Sequence, residues 1–132
     1  TKGPFKGIIA ITRGGMVPAT ILARELEIRL VDTLCIVGYD WKQQESKCTV
    51  IKGVQDTADG EGWLVIDDLV DTGRTAEVGR NLLPKAVFAT VYAKPAGKNL
   101  VDIFVQEFTQ DTWVLFPWDT EVQFTPPLVS KE

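Results

Sequence analysis

Short, mainly apolar runs alternate with segments of helical periodicity along the first part of the chain. The runs occupy residues 7–11, 30–37, 63–66 and 87–93, and the helical segments occupy residues 19–26 and 75–83. Apolar runs of this length are typical of parallel strands that are covered on both faces. Pro18 suits a first helical turn, and Pro84 ends the second helix. The alternation predicts an α/β fold with a mainly parallel, doubly wound sheet flanked by helices.

Two parts of the chain lack this alternation. Residues 39–62 are mostly polar, and connections of that length in compact domains are often lids, so we expect a flexible lid loop over residues 40–58. The C-terminal third carries aromatic residues and prolines without a helical period, which predicts short strands and loops. We therefore expect a single domain over residues 1–132, with an irregular cap, or hood, over residues 105–132.

Composition narrows the class of protein. A chain of 132 residues with 45% hydrophobic residues can bury a core, and no apolar run approaches the length of a membrane span. A net charge of −4 argues against a nucleic-acid partner, which would need a basic face. The chain has no histidine, so acid–base chemistry must fall to Asp, Glu, Lys or Tyr. We expect Cys35 to be a buried strand residue and Cys48 an exposed thiol in a polar loop, which fits a reducing, cytosolic setting.

The most informative chemistry follows the third apolar run. Asp67 and Asp68 stand where that run ends, and a Thr-Gly turn at Thr72 and Gly73 then leads into a helix. Carboxylates at this place can hold a divalent cation or ribose hydroxyls, while the backbone N–H groups of residues 71–75 can surround a phosphate. The motif is neither a Walker A loop nor a dinucleotide-binding glycine loop. The alternative is an ordinary strand, acidic turn and capped helix, but adjacent buried acids are costly unless something pairs with them.

This motif resembles the PRPP-binding signature of the type I phosphoribosyltransferases. Beyond it, the chain resembles the bacterial xanthine-guanine phosphoribosyltransferases over nearly its whole length. The supporting segments are KGIIAITRGG (6–15), LAREL (22–26), DGEG (59–62), AKPAG (93–97), QDTW (110–113) and PWD (117–119). The resemblance implies the type I phosphoribosyltransferase fold and an N-terminal helical segment that precedes the first strand in the family and is absent from this sequence.

The resemblance also implies a reaction and a PRPP site. The family transfers the 5-phosphoribosyl group from PRPP to a 6-oxopurine in purine salvage, with Mg²⁺ as cofactor. Arg13 and Gly14 match the pyrophosphate loop, in which a peptide bond is often cis. Asp67 is expected to face the ribose hydroxyls and Asp68 the metal. The remaining residues expected at PRPP are Leu69, Val70, Asp71, Thr72, Gly73, Arg74 and Thr75.

For the purine, the resemblance assigns four residues. Lys94 is expected to donate to the purine O6, and Asp71 to face N7 and share its proton; these two are the candidate catalytic residues. Trp113 is expected to stack on the base, and the Val114 carbonyl to accept from the 2-amino group of guanine. Trp63 and Trp118 are expected in the core. Asp71 has an alternative role as a helix cap.

The function expected from these residues is transfer to guanine or xanthine, with hypoxanthine a poorer substrate. A hypoxanthine-preferring phosphoribosyltransferase and a PRPP-binding regulator without turnover are the alternatives. The resemblance further implies a homotetramer or dimer in the cytoplasm, with loose peripheral association at the inner membrane.

Overall fold

A six-stranded sheet organises the protein in the computed structural model, which describes residues 4–38 and 48–118. In chain order the elements are β1 (Gly7–Thr12), α1 (Met16–Glu25), β2 (Val31–Gly38), β3 (Cys48–Lys52), β4 (Trp63–Val70), α2 (Arg74–Leu82), β5 (Val87–Ala93), a 3₁₀ turn (Lys98–Leu100) and β6 (Ile103–Glu107). The strand order is β3-β2-β1-β4-β5-β6, and every neighbouring pair is parallel except β2 with β3. The predicted fold class is confirmed.

The two central strands are buried on both faces, as their continuous apolar sequences predict. Ile8 and Ala10 of β1 pack with Leu64 and Ile66 of β4 on one face, where α1 contributes Ala19. The alternate positions face the other side, where they pack against β5, the 3₁₀ turn region and α2. Because strand side chains alternate between faces, one continuous apolar run can serve both clusters. No helix within residues 4–38 and 48–118 is long and apolar enough to cross a membrane.

The prediction that a strand ends at residue 66 is wrong. Strand β4 runs on to Val70, so Asp67 and Asp68 lie inside it. The reason is its two different neighbours. Pairing with β1 stops at Ile66, whereas pairing with β5 continues to Val70. The acids therefore have a strand on one side only, which is why the apolar run ends where it does.

The expected lid region contains regular structure that its composition did not predict. Residues Cys48–Lys52 form β3, an antiparallel edge strand on β2. Cys48 is consequently half-buried against the core, which corrects the expectation of an exposed thiol in a loop. Cys35 is also half-buried, in β2, and both cysteines are free. Residues 40–47 of the expected lid and residues 119–132 of the expected cap lie outside the described residues.

Arg80 of α2 ties together the elements that border the C-terminal edge of the sheet. Its guanidinium donates to the carbonyl of Leu100 at 2.8 Å, to that of Ala86 at 3.0 Å, and to the Asp102 carboxylate at 2.6 Å. The same carboxylate accepts from the backbone N–H of Phe88 at 2.8 Å. The guanidinium also lies 4.4 Å from the centre of the Phe88 ring. One side chain thereby fixes the 3₁₀ turn against α2 and β5.

Replacing Arg80 with alanine should lower the free energy of unfolding by about 2–4 kcal/mol, because it leaves two carbonyls and a carboxylate without their donor. Urea denaturation of the purified protein measures this change. Arg24→Ala, at an exposed position of α1, is the matched control and should change stability by less than about 0.5 kcal/mol. Equal effects of the two substitutions would contradict the assignment.

Candidate active site

The site forms where strands β1 and β4 part. The chain passes outward from β1 through β2 to β3, and then returns to β4 and passes outward through β5 to β6 in the opposite direction. Such a reversal point opens a crevice at the carboxyl ends of the strands, where open α/β sheets bind ligands. The last pair joining the two strands is Ala10 with Ile66. Beyond it, β1 leads into the loop of Arg13 while β4 carries the two acids.

The two acids point to opposite sides of β4 because side chains alternate along a strand. Asp67 lies on the α2 side and borders a small cavity of about 110 Å³ beneath the loop of residues 71–75. Its Oδ1 accepts from the backbone N–H of Asp68 at 2.9 Å. Burial, followed by the negative charge of Asp68, raises the pKa of Asp67 well above its ordinary value of 3.8. The site therefore concentrates negative charge that a bound cation would relieve.

The glycines after β1 allow its loop to lie directly on the acids. A Cβ atom on Gly14 would overlap the Asp68 carboxylate, and one on Gly15 would overlap the carbonyl of Ile66. The N–H of Gly15 donates to the Ile11 carbonyl at 2.8 Å, which turns the chain sharply. The Thr12–Arg13 peptide bond is cis, and Arg13 is exposed at the crevice. Two motifs far apart in sequence, Arg13-Gly14 and Asp67-Asp68, are thus brought together.

The loop between β4 and α2 presents a helix N-terminus to the crevice. Helix α2 begins at Arg74, and its N-cap is Gly73 at φ +92°, with no side-chain hydrogen bond capping it. Backbone N–H groups at an uncapped helix start are suited to an anion. Thr72 is exposed and Thr75 half-buried at the same loop, where both can add hydroxyl donors. Leu69 and Val70 form the strand end beneath it, with Val70 buried.

A second glycine contact supports this loop from the β5 side. A Cβ atom on Gly97 would overlap the Val70 side chain and lie 2.9 Å from the Asp71 carbonyl and 3.1 Å from the Gly73 nitrogen. The turn of residues 94–97 therefore packs against the backbone of the phosphate loop without an intervening side chain. Because Gly73 also packs closely on Leu100, the loop is held between two fixed surfaces.

Asp71 and Lys94 are neighbours because each is the first residue after its strand. Strands β4 and β5 end at the paired residues Val70 and Ala93, so the next residues of the two strands lie side by side. Lys94 is buried, with 5% of its surface exposed, and its Nζ lies 3.4 Å from Oδ2 of Asp71. The alternative role of Asp71 as a helix cap is wrong, since the N-cap is Gly73.

Gln110 joins this pair, and the sequence analysis did not single it out. Its side chain donates from Nε2 to Oδ1 of Asp71 at 2.6 Å and accepts at Oε1 from the N–H of Ala96 at 2.9 Å. Its backbone carbonyl accepts from Nζ of Lys94 at 3.3 Å. The only sequence signal was its place at the head of the QDTW segment.

The predicted base-binding residues lie on the cap, beyond β6. Trp113 has 86% of its surface exposed, so its ring is free for contact, and Val114 is half-buried. An aromatic row anchors this segment: Tyr92 of β5 stacks on Phe116 at 5.3 Å, and Phe116 on Trp118 at 4.7 Å between ring centres. Trp63, as expected, is buried in the core, whereas Trp118 is only half-buried.

Among the lid lysines, Lys52 lies in the described part of the chain and is engaged elsewhere. Its Nζ donates to Asp32 at 3.0 Å and to the carbonyls of Thr33 and Gly53 at 2.8 and 3.1 Å. These bonds hold it at the outer edge of the sheet, on β3, away from the crevice between β1 and β4.

Comparison with known protein families agrees with this geometry. The family model for the phosphoribosyl transferase domain matches residues 6–125. Since this match covers most of the chain, the protein belongs to the phosphoribosyltransferase family.

Curated relatives define its place within the family more narrowly. Proteins named xanthine-guanine phosphoribosyltransferase are 68% identical over 131 residues in Desulfotalea psychrophila and 62% identical over 130 residues in Nitratidesulfovibrio vulgaris strain DP4. The aligned regions cover 99% and 98% of this chain and 81% and 78% of those relatives. A relative of the same name in Gluconobacter oxydans is 55% identical. The predicted resemblance to the xanthine-guanine phosphoribosyltransferases is confirmed, and the protein is an enzyme of that group.

Solved structures agree on the fold. A purine phosphoribosyltransferase from Pyrococcus horikoshii Ot3 superposes with a TM-score of 0.73 at 25% identity, covering 96% of this chain and 82% of that one. A xanthine-guanine-hypoxanthine phosphoribosyltransferase from Helicobacter pylori superposes with a TM-score of 0.66 at 26% identity, covering 86% and 76% of the two chains.

Asp67→Asn should stabilise the protein in the absence of divalent cations. The folded state holds the Asp67 proton more tightly than the unfolded state does, so unfolding releases it. The free energy of unfolding therefore falls as pH rises from the ordinary aspartate value of 3.8 through the raised pKa of Asp67. The asparagine variant avoids this loss and should gain on the order of 1 kcal/mol at pH 7.

Thermal unfolding in a chelating buffer between pH 4 and pH 8 measures the effect. The gain should vanish near pH 4, where the wild-type carboxyl is protonated in the folded state. Asp56→Asn, at an exposed loop position, is the control and should shift stability little. A D67N variant less stable than wild type at pH 7 would contradict the assignment.

Proposed function

We propose that this protein transfers the 5-phosphoribosyl group from PRPP to guanine or xanthine, and less well to hypoxanthine, giving the nucleoside monophosphate and pyrophosphate in purine salvage. The observation that carries the proposal is the meeting of three groups at one edge of the sheet. These are the acid pair of β4, the uncapped start of α2, and the buried Lys94 beside Asp71. Each suits one part of the two substrates.

PRPP is proposed to lie across the crevice between β1 and β4. Backbone N–H groups of residues 71–75 would hold its 5-phosphate, with Thr72 and Thr75 as additional donors. Asp67 would accept from the ribose hydroxyls. The pyrophosphate would lie at the Arg13-Gly14 loop, where a guanidinium and backbone N–H groups suit a leaving group of high negative charge.

The acid pair fits the Mg²⁺ with which this family generally uses PRPP. Within residues 4–38 and 48–118, no group of three or more His, Cys, Asp or Glu side chains is placed to hold a metal. Two carboxylates are nevertheless enough, since Mg²⁺ commonly binds one or two carboxylates and completes its shell with water and substrate phosphates. Asp68, against which Gly14 packs, is the proposed ligand. When bound, the cation supplies charge neutralisation for the departing pyrophosphate.

The base is proposed to bind between Lys94 and the cap. The ammonium of Lys94 donates to a 6-oxo group and repels the 6-amino group of adenine, which offers only donors at that position. Trp113, whose ring is exposed, would stack on the purine. The carbonyl of Val114 would accept from the 2-amino group of guanine. Asp71 would face N7 and share its proton as the new bond forms.

The reaction proposed here needs little covalent chemistry from the protein. As the bond from C1′ to the pyrophosphate oxygen breaks, positive charge develops on the ribose, and the residues act by positioning and electrostatics. The carboxylates of β4 lie near the developing positive charge, and the Arg13 loop lies near the negative leaving group. The two charges are thereby stabilised on opposite sides of the breaking bond.

Several features of the whole protein are part of this proposal. The chain is proposed to be one domain, with residues 40–58 as a lid over PRPP and residues 105–132 as the base-binding cap. A homo-oligomer, tetramer or dimer, in the cytoplasm is proposed, with loose peripheral association at the membrane. These points rest on the family and on no contact between described residues.

Nucleotide formation tests the function directly. The purified protein is incubated with PRPP, Mg²⁺ and one of guanine, xanthine, hypoxanthine or adenine, and the products are separated by chromatography. We expect monophosphates from the three 6-oxopurines and none from adenine. A higher rate with hypoxanthine than with guanine would instead favour a hypoxanthine-preferring enzyme. Binding of PRPP without product from any base would indicate a regulator without turnover.

Lys94→Met tests the reading of O6. The thioether preserves most of the buried stem but removes the ammonium, so kcat/KM for guanine should fall by about 10- to 100-fold, the effect of losing one charged hydrogen bond. The KM for PRPP should change little. Lys98→Met is the matched control, because Lys98 forms an exposed ion pair with Glu107 at 3.0 Å on the same turn. Equal losses in the two variants would refute a specific role for Lys94.

A further inference from the structure

Gln110 lies between the two candidate catalytic residues and the turn that supports the phosphate loop. It stands in a turn after β6 that is closed by its own bonds: the Thr109 hydroxyl contacts the Asp111 carboxylate at 2.8 Å and the Thr112 hydroxyl at 2.6 Å. The N–H of Thr112 donates to the Thr109 carbonyl at 3.1 Å. These bonds hold the backbone of the turn and leave the Gln110 side chain to reach across to β4 and β5.

The orientation of the Gln110 amide follows from its partners. A backbone N–H can only donate, so the atom 2.9 Å from the Ala96 nitrogen must be the oxygen Oε1. The NH₂ group is therefore directed at Asp71, whose Oδ1 accepts at 2.6 Å. Ala96 belongs to the same turn as Lys94, so this one amide fixes Asp71 relative to the Lys94 turn.

The carboxylate of Asp71 would otherwise have considerable freedom. Its side chain is half exposed, and its contact with Lys94, at 3.4 Å, is long for a charged hydrogen bond. The bond from Gln110 is shorter by a wide margin and occupies one carboxylate oxygen, so the other oxygen faces Lys94. The Gln110 carbonyl also accepts from Lys94 at 3.3 Å, so the lysine ammonium has an acceptor that is not Asp71.

We propose that Gln110 is a positioning residue for purine recognition: it holds Asp71 and Lys94 apart and oriented, so that one faces N7 and the other O6 of the base. Without it, the ammonium and the carboxylate would close into a direct ion pair that competes with the purine. Gln110 itself contacts neither substrate in this role. The inference rests on the proposed function, since it assigns Gln110 to the base half of that same site.

Gln110→Glu isolates the bond to Asp71. The variant keeps the length of the side chain and the oxygen that accepts from Ala96, but it replaces the NH₂ donor with a second acceptor. We expect kcat/KM for guanine to fall by about 10- to 100-fold, with the KM for PRPP within about twofold of wild type. Gln106→Glu, on exposed strand β6, is the matched control and should leave both parameters unchanged.

A double-mutant cycle with Asp71→Asn distinguishes positioning from a general loss of structure. In the Asp71→Asn background the asparagine amide can donate to the carboxylate that Q110E introduces, so the second substitution should cost at most about twofold more. Independent, multiplicative losses from D71N and Q110E would overturn the proposal, as would an unaffected Q110E enzyme. The NMR signals of the Gln110 side-chain NH₂ should also shift in the D71N variant, and unchanged signals would overturn the contact itself.

These outcomes separate the two proposals. A wild-type protein that forms no nucleotide from any base overturns the proposed function and this role with it. An active wild type with an unaffected Q110E variant overturns the role of Gln110 alone. Thermal unfolding of each variant accompanies the kinetics, and we expect Q110E to unfold within a few degrees of wild type, because the substituted group is exposed.

Discussion

The separation of β1 from β4 after the pair Ala10–Ile66 is the constraint on which the candidate site depends. Up to that pair the two strands share hydrogen bonds and lie in the centre of the sheet. Beyond it the backbone of β4 has a partner on one side only, through β5. The space left on the other side is where the Gly14-Gly15 turn enters. If β1 ran two residues further beside β4, the Asp67 and Asp68 backbone would be covered, and no crevice would exist.

The same opening explains why two carboxylates can occupy the middle of a sheet. Buried acids are costly, and the raised pKa of Asp67 shows the cost in this protein. A structure that only had to be stable would place an apolar or amide side chain there. The retained charge is therefore best understood as a binding feature: it disfavours the empty protein and is relieved when a cation and ribose hydroxyls arrive. Stability and ligand binding thus oppose each other at one residue.

Much of the fold could be predicted because its signals are local. The apolar runs that became β1, β4 and β5, and the helix ended by Pro84, needed only periodicity and punctuation. Strand β3 could not be predicted in this way. Most of its residues are exposed, and it exists because β2 offers an unpaired edge, which is a tertiary property. The extension of β4 to Val70 was missed for the same reason, since only pairing with β5 maintains it.

The site divides along a similar line. Residues within the β4–α2 motif could be proposed because strand, acids, glycine and helix follow one another in sequence. Gln110 could not, because its importance lies in reaching two turns that precede it by many residues, and an isolated glutamine gives no such signal.

Close backbone contacts, more than side-chain bonds, set the relative positions of the proposed substrate subsites. Gly14 lies on the Asp68 carboxylate, and Gly97 lies on Val70 and on the backbone of Asp71 and Gly73. In each contact a single added methyl group would force two segments apart, so the spacing between the pyrophosphate loop, the acids and the phosphate loop is fixed by sterics. Side chains with rotatable bonds, Lys94, Asp71 and Gln110, are confined to the purine half. That division suits the proposed chemistry, since the phosphates of PRPP need a rigid cradle, whereas discrimination between bases depends on a few directed donors and acceptors.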